Sequence, residues 1–231
     1  MKILGIIGGI GPESTIEYYR HIISIYREQR PDGSYPAIII NSIDAKQMLE
    51  LIGQHQMTEV TGLLVAEVQR LARAGADFAL MAANTPHIIF DELRRRSPIR
   101  LISIVQATCD AAKEAGMKKL GLIGTRFTMQ GRFYPEVFNS EGLEIVIPNA
   151  EEQAYIHDKY LGELVNGIIK VDTRKQVLAI GERMKERDEI QGLILGGTEL
   201  SLLMHNVKSK TLPLLDTTEI HARAAVARLL S

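Results

Sequence analysis

The sequence predicts an α/β protein of two similar halves, each with a mostly parallel four-stranded sheet. Three observations predict it. The strand-length apolar runs are continuous rather than alternating, helix-period segments lie between them, and the second half of the chain repeats the first. Continuous apolarity belongs to strands covered on both faces. Strand and helix in alternation belong to right-handed crossovers between parallel strands.

The runs fall at 3–7, 37–43, 78–82, 100–104, 120–123, 143–147, 193–195 and 212–215. The first opens after Lys2 and ends in Gly8 and Gly9. It is too short for the apolar region of a signal peptide and has no small-residue cleavage site, so it reads as a buried first strand. Ile16, Tyr19, Ile23 and Tyr26 fall on one helix stripe. Val60, Leu63, Leu64, Val68, Leu71 and Ala72 form another, closed by Gly75.

The repetition is the most informative feature. The segment from Lys2 to Gly8 matches that from Lys118 to Gly124 at an offset of 116 residues, and the strand and turn around Ala83 match those around Gly197 at an offset of 114. The runs at 37–43 and 143–147 correspond, as do those at 100–104 and 212–215. Chance similarity explains apolar runs, but not four elements at nearly constant offset. The expected division is 1–102 plus 212–231 for the first half and 103–211 for the second. Ligands of open α/β sheets bind at the strand C-termini, so two like halves would present two similar loop sets to one shared cleft.

Composition narrows the partners. The 231 residues are 45% hydrophobic, enough for one large or two small cores, and the formal net charge is −1. No positive excess exists to hold a nucleic-acid backbone. Arg94, Arg95 and Arg96 read as the solvated end of a helix. No apolar run reaches the roughly 18 residues of a membrane span. The single cysteine, Cys109, excludes an internal disulfide and fits a reducing, cytoplasmic setting. It lies in a helical stretch, 104–115, beside Val105 and Ala112, and reads as a buried small residue.

Several turns carry candidate chemistry. In Gly8-Gly9-Ile10-Gly11-Pro12-Glu13-Ser14-Thr15, glycines after a strand allow an anion to approach backbone N–H groups. Ser14 to Glu17 fits a capping box, with Ser14 as the cap. The spacing is neither a phosphate loop nor a full dinucleotide fingerprint, and a plain strand-to-helix turn is an equal reading. The second half offers Gly124-Thr125-Arg126-Phe127-Thr128-Met129, whose Thr125 and Thr128 suit a carboxylate, although capping explains one of them. After the third strand comes Ala83-Asn84-Thr85-Pro86-His87. His87 is either a catalytic group or a ring packed at a helix start. Opposite it stands Gly196-Gly197-Thr198-Glu199, where Thr198 mirrors Asn84.

Together these pieces, with Tyr18-Tyr19, Asp216 and Glu219-Ile220-His221, resemble the aspartate/glutamate racemase family of cofactor-independent amino-acid racemases. The resemblance implies two Rossmann-like domains related by a pseudo-two-fold, often dimerised, and inversion at the α-carbon of aspartate or glutamate without pyridoxal phosphate. No cofactor and no metal is expected. Inversion needs a proton to leave one face and arrive on the other, so two acid/base groups flank the substrate. The family commonly supplies them as cysteines, one before Asn-Thr and one between Gly and Thr-Glu.

Here those two positions are Ala83 and Gly197, which carry no proton. Three readings follow: an inactivated racemase, a relative that binds an amino acid or dicarboxylate without turnover, or an enzyme using His87, Glu199 or Glu13 as a base. The resemblance assigns substrate contacts to Gly9, Asn84, Thr85, Thr125, Thr128 and Thr198. Lys46, Arg126, Lys159 and Arg20 are candidates to hold a side-chain carboxylate. The expected partners are a small amino acid or dicarboxylate and a second copy of the chain, with no nucleic acid and no membrane.

Overall fold

The computed structural model describes residues 2–205, 207 and 211–231. The chain divides into two compact units, residues 1–104 with 221–231, and residues 105–220. In the first unit, strands β1 (Ile3–Gly8), β2 (Ala37–Ser42), β3 (Phe78–Met81) and β4 (Arg100–Leu101) form an all-parallel sheet in the order β2-β1-β3-β4. In the second, β5 (Lys119–Gly124), β6 (Glu144–Val146), β7 (Gly192–Gly196) and β8 (Leu214–Asp216) repeat it as β6-β5-β7-β8. The duplication read from the sequence is therefore a duplication of topology.

The continuous apolar runs have a direct cause. Along β3, Phe78 and Leu80 join the core made with Tyr18, Ile22, Ile25 and the C-terminal Ala222, Ala225 and Val226. Ala79 and Met81 join the opposite core, with Val60, Leu64, Val68 and Leu71. Successive residues of a strand point to opposite faces, and here both faces are covered, so every position is apolar. In the second unit Ile123, Leu193 and Leu195 pack with Ile156, Tyr160, Val177 and Ile180.

Four expectations need correction. The first helix spans Pro12–Gln29 and is capped by Gly11, whose φ of 91° suits glycine; Ser14 is fully buried inside the helix and is not its cap. The buried face of that helix is Tyr18, Ile22, Ile25 and Tyr26, while Ile16 and Tyr19 are 44% and 46% exposed. The helix carries two apolar stripes, and the one facing the sheet is the one that buries. The run at 100–104 gives only a two-residue strand, because Ile104 opens the helix Ile104–Glu114. Last, the segment from 212 does not return to the first half at once. β8 pairs with β7, so the crossing falls at His221, inside the helix Thr217–Leu230.

Other readings stand as stated. Arg94, Arg95 and Arg96 end the helix Phe90–Arg96, and Arg94 and Arg95 pair with Asp91 and Glu92 one turn back. Cys109 is fully buried, and its loss of water pushes the thiol up to about 11, so it holds its proton. A capping box does occur, at Asn149 and Glu152, where the sequence reading had not placed one.

Candidate functional site

The strand order in each unit reverses direction at its central pair, β1 with β3 and β5 with β7. Loops leaving the C-terminal ends of such a pair form the usual binding crevice of open α/β sheets. In the first unit these loops are Gly8 to Gly11 and Ala82 to Asn84. In the second they are Gly124 to Thr125 and Gly196 to Thr198. In the second unit they touch: a Cβ on Gly124 would lie 2.6 Å from the Gly196 carbonyl oxygen.

In the first glycine loop, Gly9 has a φ of 79° and its N–H donates to Thr15 Oγ1 at 2.9 Å. The loop is thus closed by its own helix, and a Cβ on Gly8 would come within 2.5 Å of the Thr15 methyl. After β3, Ala83 and Asn84 are buried and Thr85 is half-buried, opening the short 3-10 turn Thr85–Ile89 with Pro86 in its first turn.

His87 is fixed in that turn. The Ile104 N–H donates to its Nε2 at 3.1 Å, so Nε2 carries no proton. The proton therefore sits on Nδ1, which donates to the Ala83 carbonyl at 3.1 Å. The ring stacks on Phe90, centroids 5.0 Å apart. Burial, then the nearby His221, push its pKa down to about 3. Both ring nitrogens are committed to the backbone. Close by, His221 Nε2 donates to the Ile102 carbonyl at 3.0 Å and its Nδ1 accepts from Tyr18 Oη at 2.8 Å. Burial lowers its pKa to about 4.

In the second unit, Thr125 caps the helix Arg126–Gln130 and its hydroxyl accepts from the Thr128 N–H at 3.3 Å. The two hydroxyls lie 3.1 Å apart, and Thr128 is fully buried. After β7, Thr198 Oγ1 donates to Glu199 Oε2 at 2.9 Å, and the Tyr160 hydroxyl donates to the same oxygen. Burial, and then the Glu199 carboxylate, hold the Tyr160 phenol well above its ordinary range, so it keeps its proton.

Tyr160 is the residue that sequence reasoning missed. It lies 37 positions before Gly197, on the helix Ala150–Gly162, and reads there as one more apolar residue. A Cβ built on Gly197 would lie 2.5 Å from Tyr160 Cε2 and 2.6 Å from its hydroxyl oxygen. Position 197 is therefore short of a side chain and also short of room for one.

Two of the four candidate cations pair with a neighbouring carboxylate. Arg20 pairs with Glu17 at 2.5 Å, and Lys159 pairs with Glu163 at 2.7 Å. Lys46 and Arg126 are exposed, with the Arg126 N–H donating to His157 Nδ1 at 3.2 Å. Glu13 is exposed in the first turn of its helix. Among the described residues, no group of three His, Cys, Asp or Glu side chains is placed to hold a metal ion, and no helix is long and apolar enough to cross a membrane.

Two parallel sheets of one topology, each offering a pair of strand-end loops, define the class of the Asp/Glu racemase fold. The chain belongs to the Asp/Glu/Hydantoin racemase family, which matches residues 7–225. It is 34% identical to an aspartate racemase homologue from Pyrococcus horikoshii OT3, with a TM-score of 0.87 and all of both chains covered. The broad specificity amino-acid racemase RacX of Bacillus subtilis (strain 168) is 22% identical over 234 residues, covering 99% of each chain. The aspartate racemase of Picrophilus torridus shares the fold, with a TM-score of 0.77 at 23% identity over 99% of this chain and 94% of that one.

Proposed function

We propose that this racemase-family chain binds an acidic amino acid or a small dicarboxylate through its strand-end loops and does not invert it by the two-thiol route. One observation carries the reading: the two positions assigned to the thiols are Ala83 and Gly197, and the space beside Gly197 is taken by Tyr160. The two nearby alternatives support it. His87 has both nitrogens committed, and the Glu199 carboxylate accepts from Tyr160 and Thr198.

Asn84, Thr85, Thr125 and Thr198 are the proposed ligand contacts, with Gly9 and Thr128 shaping the loops that present them. Their polar uncharged character suits an α-carboxylate and an ammonium group. The chain acts without pyridoxal phosphate, in the cytoplasm, and as a homodimer. The outward Ile16 and Tyr19 of the first helix, at 44% and 46% exposure, favour a covered surface there.

The test combines calorimetric titration with L- and D-aspartate and L- and D-glutamate with α-deuterium incorporation in heavy water. Saturable heat with exchange no faster than a protein-free control is the expected result. Exchange that Glu199→Gln abolishes would overturn the non-catalytic part and make Glu199 the base. No heat with any of the four would overturn the ligand class.

A further inference from the structure

We infer that Tyr160 decides what position 197 can carry: its ring occupies the place of the residue-197 side chain, so glycine there is a packing requirement of Tyr160. The inference rests on the reading of position 197 as a proton-transfer position, but its physical content stands apart from any ligand.

Glycine at a turn is usually explained by backbone conformation, and that explanation fails at Gly197. Its φ of −164° and ψ of 133° are extended values that any residue adopts. Neighbouring glycines have a different cause. A Cβ on Gly196 would lie 2.7 Å from Leu122 Cδ1 and 2.8 Å from the Ile123 carbonyl oxygen, and one on Gly124 would lie 2.6 Å from the Gly196 carbonyl oxygen. The two carbonyl oxygens are backbone and cannot move without distorting the sheet. At Gly197 the three nearest obstacles are all atoms of one side chain, Tyr160 Cε2, Oη and Cζ, at 2.5, 2.6 and 2.9 Å.

That side chain is not free to swing away. Tyr160 is 6% exposed, lies in the second-unit core with Ile156, Leu164 and Leu200, and its hydroxyl is tied to Glu199. Ring and missing side chain thus form a complementary pair, large at 160 and empty at 197. A thiol at 197 would require a smaller residue at 160, and Tyr160 is the positioning residue that keeps this unit without one.

The experiment is a double-mutant cycle read by thermal melting of the full chain: Gly197→Ala, Tyr160→Leu, and both together. Gly197→Ala alone should lose about 3 to 10 °C of Tm, since overpacking of a closed core is costly. In the Tyr160→Leu background the same change should lose nothing or raise Tm, a coupling that independent sites do not show. Tyr160→Phe keeps the ring and should keep most of the penalty. If Gly197→Ala fails to fold, recovery of a folded chain in the double variant supports the inference. Equal losses in both backgrounds, or failure of both to fold, overturn it.

A second readout separates this inference from the functional one. Ala83→Cys with Gly197→Cys, with and without Tyr160→Leu, is assayed for racemisation of aspartate and glutamate. Turnover only with Tyr160→Leu supports both readings, and turnover without it overturns the role of Tyr160. Thermal coupling without turnover in either leaves Tyr160 as inferred and tells against the ligand class.

Discussion

The turns after β3 and after β7 occupy the same place in two sheets of one topology, yet they are held by different chemistry. After β3, a ring is tied to backbone: His87 bridges the Ala83 carbonyl and the Ile104 N–H. After β7, side chains are tied to side chains: Tyr160 and Thr198 converge on Glu199. The first turn carries a Cβ at Ala83 inside a closed core, and the second has none at Gly197 because a tyrosine ring stands there. The two positions therefore have unlike local settings, a methyl group inside a closed core at 83 and a tyrosine ring against bare backbone at 197.

The largest expected effect tests the first anchor. His87→Ala removes the stack on Phe90 and both ring bonds, and urea unfolding should show a loss of about 3–4 kcal/mol. The same anchor sets a pH dependence. His87 and His221 have pKa values of about 3 and about 4 against an ordinary 6.5, so the unfolded chain takes up protons first as pH falls. Their contribution is therefore complete above pH 6.5 and is lost as pH falls from 6.5 through 4 towards 3. Tm measured from pH 7 to 4 should fall, and His221→Phe should flatten the slope. A Tm that is level across that range would break the assignment of both rings as buried and neutral.

The next effect sharpens the contrast between the two positions. Gly197→Ala should cost about 1–3 kcal/mol by overpacking against Tyr160. Loss of the Thr125 cap comes below it: Thr125→Ala should cost about 1 kcal/mol in the same assay. Smallest is Ala83→Cys, which adds one atom to an existing side chain and should change stability by less than about 1 kcal/mol. If Ala83→Cys proved the costlier of the two, the comparison would fail.

Much of the fold was legible in residue order. Every strand announced itself as an apolar run, and the offset between the segments starting at Lys2 and Lys118 foretold the repeated sheet order. Boundaries were less legible where one run served two elements, as at 100–104, where hydropathy alone does not separate Leu101 in a strand from Ile104 in a helix. The cap at Ser14 failed because Pro12 and the positive φ of Gly11 start the helix earlier. The candidate site was legible as a set of strand-end turns. What stands against Gly197 was not, since Tyr160 carries no local signal of its destination.

The sequence by itself determined the strands, the duplication and the lack of an acid or base at 83 and 197, because these are properties of residue identity and short-range period. Only the tertiary structure decided which stripe of the helix Pro12–Gln29 is buried, which nitrogen of His87 and His221 carries the proton, and which ring stands against Gly197. Each of those is set by what a distant segment brings within a few ångströms, and no local pattern in the chain encodes that distance.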